Sequence, residues 1–197
     1  MMRNFTKILV TTALAVGVTI TGLAPLTYAA PFTKQVEPEQ DHRTTILQTE
    51  QLATQGKAIN SEDFAIGTKG QDIQKQWGKP DPESSSEDAY TYSKRNIAFF
   101  LSNGLVTHIV SYDKRYEPIT YKEVKKTLGE PSKETRGDDG VYTTYECGRK
   151  LLVISYYYDK TGKNPDTINQ VVVMNQYKDM TTEEKQQYRL KWPSLFK

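Results

Sequence analysis

The chain has 197 residues, with 26 Lys plus Arg against 24 Asp plus Glu. A hydrophobic share of 37% with 11% aromatics is that of a globular chain able to bury a core, not of a disordered one. A single cysteine excludes a disulfide framework within the chain and a zinc site built on several thiolates, and the near-balanced charge argues against a nucleic-acid binder, which needs a net positive field on one face.

Residues 1–29 read as a cleaved signal peptide. Arg3 and Lys7 form a positive start, an apolar run extends from Ile8 to Leu23, and Thr27 and Ala29 meet the small-residue rule for cleavage after Ala29. The run is about 16 residues, short of the roughly 20 needed to span a bilayer. The expectation is an exported mature protein, extracellular or associated with the cell wall, with no membrane span after cleavage. Arg3 and Lys7 are the only charges removed, so the mature chain balances 24 against 24.

Residues 30–43 are polar, carry proline and charge, and read as a linker, with His42 solvated within it. The segment 44–56 places apolar residues at 46, 47, 52 and 53 and predicts a helix. Then the chain repeats a pattern. Asp72-Ile73-Gln74-Lys75-Gln76-Trp77-Gly78-Lys79-Pro80 recurs as Glu123-Val124-Lys125-Lys126-Thr127-Leu128-Gly129-Glu130-Pro131, a spacing of 51 residues. In each copy two apolar residues four apart share one helical face. Glycine then offers a left-handed C′ position and proline blocks continuation.

Strand-like segments follow both copies. After the first come Tyr90-Thr91-Tyr92, Asn96 to Leu101 and Val106 to Tyr112, the last two joined by the hairpin signal Asn103-Gly104. After the second come Tyr142 to Tyr145, Lys150 to Tyr158 and Ile168 to Met174. Glu83 to Asp88 is a polar loop, and Asp159 to Asp166 a longer turn. The predicted fold class is therefore α+β: two tandem helix–three-strand units, at about 66–113 and 117–175, forming one antiparallel sheet with helices on one face. They lie in a domain spanning 44–178, followed by a helical tail at 179–197 that opens with Thr181-Thr182-Glu183-Glu184.

The opening Leu52-Ala53-x-x-Gly56-Lys57, the turn Trp77-Gly78-Lys79-Pro80-Asp81 and the unit Tyr121-Lys122-Glu123-Val124-x-x-x-Leu128-Gly129-x-Pro131 together resemble the YjgB family of secreted Bacillus-type proteins. That family is a domain of unknown function, and the resemblance covers Leu47 to Asn175. More distantly, the tandem units resemble the β-lactamase-inhibitor-protein fold and the single unit of SmpA/OmlA-type lipoproteins. This chain lacks the lipobox cysteine of the latter and the disulfides of the former, having only Cys147. An architectural likeness does not transfer function.

No set of residues for catalysis, metal binding or a cofactor emerges. His108 lies in a run that alternates Val106, His108, Val110 and Tyr112, with no nucleophile or orienting carboxylate nearby in sequence. Cys147 reads as a small strand residue. Gly137-Asp138-Asp139-Gly140 lacks the alternate ligand spacing of a calcium loop and reads as a hairpin turn. The more informative feature is thirteen tyrosines, including Tyr156-Tyr157-Tyr158. Tyrosine suits docking through its area, few torsions and hydroxyl. Tyr156, Tyr158, Tyr90 and Tyr92 are accordingly the candidate contacts of an open sheet face, with Tyr157 pointing the other way. The expected function is a non-catalytic binding or inhibitory module for an extracellular protein or cell-envelope ligand. The alternatives are an envelope hydrolase with dispersed carboxylates and a structural protein of the envelope or spore surface.

Overall fold

A computed structural model describes residues 38–182 together with 185, 186 and 189. Residues 1–29, expected to be a signal peptide, and most of the expected C-terminal helical tail lie outside the described residues. The elements are helices α1 (Pro38–Thr54), α2 (Gly70–Trp77) and α3 (Tyr121–Leu128) and strands β1 (Ala89–Tyr92), β2 (Ile97–Ser102), β3 (Leu105–Ser111), β4 (Lys133–Arg136), β5 (Val141–Cys147), β6 (Lys150–Tyr158) and β7 (Pro165–Asn175). The strands form one antiparallel sheet in the order β1-β2-β3-β7-β6-β5-β4. The first three strands and the last four meet where β3 pairs with β7, from His108↔Met174 to Ser111↔Val171.

α1 begins six residues earlier than the sequence pattern suggests, inside the segment expected to be a linker. A proline opens it, at a position where its missing N–H leaves no helical hydrogen bond unmade. His42 is consequently not solvated: its Nδ1 lies 2.8 Å from Glu123 Oε1 and joins α1 to α3. Ile46, Thr49 and Ala53 form the buried face of α1, while Leu47 is turned outward. The helix closes at Gly56 (φ +72°), with the Lys57 N–H donating to the Leu52 carbonyl at 3.0 Å.

The two repeated helices end alike, though not in the left-handed helical conformation. Gly78 (φ 84°, ψ −172°) and Gly129 (φ 83°, ψ −162°) occupy a region open essentially to glycine alone, and each N–H caps the carbonyl four residues back. Their N-termini differ. Thr120 and Glu123 make a reciprocal capping box on α3, whereas Lys69 makes no side-chain cap on α2.

The strands that follow also differ in number, three after α2 and four after α3. The extra strand, β4, pairs with β5 from Lys133↔Thr144 to Arg136↔Val141. Its sequence, Lys-Glu-Thr-Arg, has no apolar alternation, so the hydrophobic pattern could not reveal it; charge of this kind is normal at a sheet edge. Gly137 to Gly140 forms the expected hairpin turn between β4 and β5, closed by the Gly137 N–H on the Gly140 carbonyl at 2.9 Å. Asn103 and Gly104, both at positive φ, turn β2 into β3 as their sequence suggests.

Both faces of the sheet carry buried side chains. On the first face Ile97, Phe99, Leu152, Ile154, Val171 and Val173 pack against Ile46, Ile73 and Val124 of the helices. On the second face Ala98, Val110, Val153, Val172 and Met174 form a separate apolar layer with Tyr142 and Met180.

Candidate functional site: a groove on the second sheet face

Alternation along β6 decides which tyrosines can be reached. Leu152, Ile154 and Tyr156 share the helix-packed face, and Tyr156 is 0% exposed. Its ring meets that of Tyr121 edge-on at 5.2 Å, and its hydroxyl accepts from Thr143 Oγ1 at 3.3 Å. Tyr92 is also buried in this core, donating its hydroxyl to the Gly78 carbonyl at 3.0 Å. Tyr90 packs half-buried against the same core, and half-buried Tyr158 donates to the Gly137 carbonyl at 2.8 Å. The expected face assignment is therefore inverted. Tyr156, Tyr90 and Tyr92 pack on the helix side, and Tyr157, 54% exposed, points to the second face. Because period-two alternation fixes relative faces only, the sequence left open which set meets the helices.

The second face holds a groove of about 250 Å³ lined by Leu151, Val153 and Met174, with Tyr177 and Met180 above and Lys133 and Thr144 at the rim. Its position follows from three local features. Leu151 and Val153 alternate onto this face of β6, and Met174 pairs directly with Leu151 across β7. Lys133 pairs with Thr144 at the adjoining edge. Beyond Asn175 a 3₁₀ turn, Tyr177–Asp179, brings the chain round so that Met180 joins the apolar layer. Nearby on this face, the Ser155 hydroxyl is buried and has no hydrogen-bond partner among the described residues. None of the groove residues was singled out by sequence. The available signal was the unbroken apolar runs Leu151-Leu152-Val153-Ile154 and Val171-Val172-Val173-Met174, which mark strands buried on both faces.

The residues considered for chemistry lie elsewhere. His108 is buried on the second face, stacked on Phe100 at 4.4 Å with its Nδ1 3.1 Å from Thr107 Oγ1. Cys147 is buried on the helix side, and burial pushes its thiol up to about 11, with Glu50 adding to the shift, so the thiolate is scarce near neutrality. Asp159 accepts from Thr161 and Asn164, which hold its carboxyl well below the usual range in a self-contained turn. Among the described residues no group of three or more His, Cys, Asp or Glu is placed to hold a metal ion, and no helix is long and apolar enough to cross a membrane.

Residues 46–177 match the family model described as Domain of unknown function (DUF4309). The chain belongs to this family. The DUF4309 match ends three residues before Met180, so the residue that closes the groove lies beyond it. The crystal structure of a DUF4309 family protein, YjgB from Bacillus subtilis, superposes on this chain with a TM-score of 0.58 at 16% identity, covering 70% of this chain and 99% of that one. At that identity the likeness establishes the shared DUF4309 fold and no more. No curated protein matches the chain.

Proposed function

We propose that this DUF4309 protein is an exported, non-catalytic binding or inhibitory module that holds an apolar anchor of an extracellular protein in the groove over Leu151, Val153 and Met174. The groove's size and lining carry this reading. At about 250 Å³ it lies below the roughly 300–1,000 Å³ of small-molecule sites and suits one or two side chains. Its floor offers apolar area, while Lys133, Thr144 and the Tyr177 hydroxyl supply polar groups at the rim, the arrangement of an interface anchor pocket. Export is supported by Arg3, Lys7, the apolar run that follows and the small residues at 27 and 29.

The test is capture of partners from secreted and cell-wall fractions by the mature protein, compared with Leu151→Lys and Tyr177→Ala. Leu151 is partly exposed, so its replacement should leave the melting temperature nearly unchanged. Loss of an anchor contact should weaken capture by more than about tenfold. Equal capture by both variants would remove the groove from the binding surface. Turnover of wall material that is lost on a single Asp or Glu substitution would instead identify a hydrolase.

A further inference from the structure

The two edges of the sheet are finished differently. At β1 the preceding loop takes up the outward main chain: the Thr91 N–H donates to Ser85 Oγ at 2.9 Å, and the Thr91 carbonyl accepts from the Asp81 N–H at 2.9 Å. At β4, among the described residues, the strand pairs with β5 alone. The Gly137 N–H donates to the Gly140 carbonyl, and the same register runs in steps of two to Thr135↔Tyr142 and Lys133↔Thr144. Lys133, Thr135 and Gly137 therefore turn their main chain towards β5, and Glu134 and Arg136 each direct an N–H and a carbonyl outward. The same two residues carry opposite charges on the helix-side face, where Arg136 Nη2 lies 4.0 Å from Glu134 Oε1. Each also has one anchor within its own chain: Glu134 Oε2 accepts from the Tyr121 hydroxyl, and Arg136 Nη1 donates to the Lys163 carbonyl. That leaves a carboxylate oxygen and further guanidinium N–H groups with hydrogen-bonding capacity at the edge.

Charge on an edge strand ordinarily discourages pairing, but a strand that reads acid, neutral, base complements itself when reversed. We propose that this edge receives a second copy of the chain, β4 pairing antiparallel with β4 about a two-fold axis at Thr135. In that register Glu134 of each copy faces Arg136 of the other. The outward main-chain groups exchange hydrogen bonds at both places, and an ion pair forms across each. A shift of two residues sets Glu134 against Glu134, or Arg136 against Arg136. A shift of one sets outward groups against inward ones. Charge and hydrogen bonding thus select the same register. The two sheets become one, with both second faces on the same side. The strand supplies four residues a side, against roughly 20–30 in a standard interface, so the pairing is weak and favoured by high local concentration. Presentation of two grooves on one surface rests on the binding reading above, whereas the pairing does not.

Sedimentation equilibrium of the mature protein from micromolar to millimolar concentration tests the pairing, and the parent should show a monomer–dimer equilibrium. Glu134→Arg and Arg136→Glu each set like charges together at both contacts and should weaken dimerisation by about tenfold or more. Mixed, the two variants regain complementarity and should form a heterodimer about as strong as the parent dimer, a result that loss of folding cannot produce. A parent that stays monomeric at millimolar concentration overturns the proposal. So does a dimer that both single variants leave intact, or one that a mixture of folded variants fails to restore. Amide hydrogen exchange of the unaltered protein decides the matter if a variant unfolds. The Glu134 and Arg136 N–H groups should exchange more slowly as concentration rises, while that of Thr135, bonded to β5, exchanges slowly throughout. Concentration-independent exchange at residues 134 and 136 refutes the pairing. A dimer that captures no partner leaves the pairing standing and removes the binding function, and capture by a parent that never dimerises does the reverse.

Discussion

Tyr156 and Tyr157 are neighbours in sequence with opposite environments, and replacing each by alanine separates core from surface on β6. Tyr156 is fully buried, packs edge-on against Tyr121 and accepts a hydrogen bond from Thr143. Truncating a buried aromatic costs about 3–5 kcal/mol, which includes the cavity left behind, and an edge-on aromatic pair contributes about 0.5–1.5 kcal/mol beyond area. At roughly 2–4 °C per kcal/mol for a domain of this size, Tyr156→Ala should melt about 10 °C or more below the parent. Tyr157→Ala removes an exposed ring and should stay within about 0.5 kcal/mol. Tyr156→Phe keeps the ring and loses one long hydrogen bond, so it should cost about 1 kcal/mol. Urea and thermal melts of the three variants provide the measurement. A neutral Tyr156→Ala, or a Tyr157→Ala as damaging as Tyr156→Ala, would refute the face assignment and with it the placement of the groove.

Three further outcomes follow from local geometry. A Cβ added at Gly140 would overlap the Tyr156 carbonyl oxygen, a backbone atom that cannot swing away, so Gly140→Ala should lose about 1–3 kcal/mol in a urea melt. Burial raises the Glu123 carboxyl pKa, but hydrogen bonds from His42 and Thr120 outweigh it and leave the group below its ordinary value; its stabilisation is therefore complete above the unfolded pKa of about 4.3 and is lost as pH falls through the folded one. Glu123→Gln should flatten that acid limb while keeping a capping-box partner, and Glu123→Ala should lose the cap too, about 0.5–2 kcal/mol by melts from about pH 6 to 3. The raised Cys147 pKa makes its thiolate about 100-fold scarcer than that of an ordinary thiol, so maleimide or iodoacetamide labelling near neutral pH should be slow in the folded protein and fast in urea, and equal rates would contradict its burial.

What the sequence disclosed depended on whether a signal was local. The helix ends at Gly78 and Gly129 and the turns at Asn103-Gly104 and Gly137 to Gly140 rest on one or two residues whose conformational demands are nearly unique, and the structure puts each at the expected position, although the two glycines lie outside the left-handed helical region. β4 carries no apolar residue, and the early start of α1 lies in polar sequence, so periodicity was silent on both. β3 shows a different failure. A bulge against Phe100 and Leu101 makes Thr107 an extra residue, so Val106 and Ile109 both enter the helix-side core while His108 and Val110 face the other way. Simple alternation from Val106 to Tyr112 assigns Val106 to the wrong face, because a bulge shifts the period without marking the sequence. The inverted tyrosine assignment arose similarly, since only the three-dimensional position of α1 and α3 distinguishes one side of β6 from the other.

The chemistry of the second face bounds what a partner must bring to it. Ala98, Val110, Val153, Val172 and Met174 offer dispersion and area excluded from water, and none of them can exchange a proton or attack a carbonyl. One side chain filling the groove would contribute about 2–4 kcal/mol, the scale of a single hot spot. About 4 kcal/mol alone corresponds to millimolar binding. Useful affinity therefore requires contacts outside the groove, amounting to the 1,200–2,000 Å² in total that stable protein interfaces bury, roughly. The rim at Lys133 and Thr144 and the exposed Tyr157 and Tyr112 are surfaces on this side of the sheet that could supply that area.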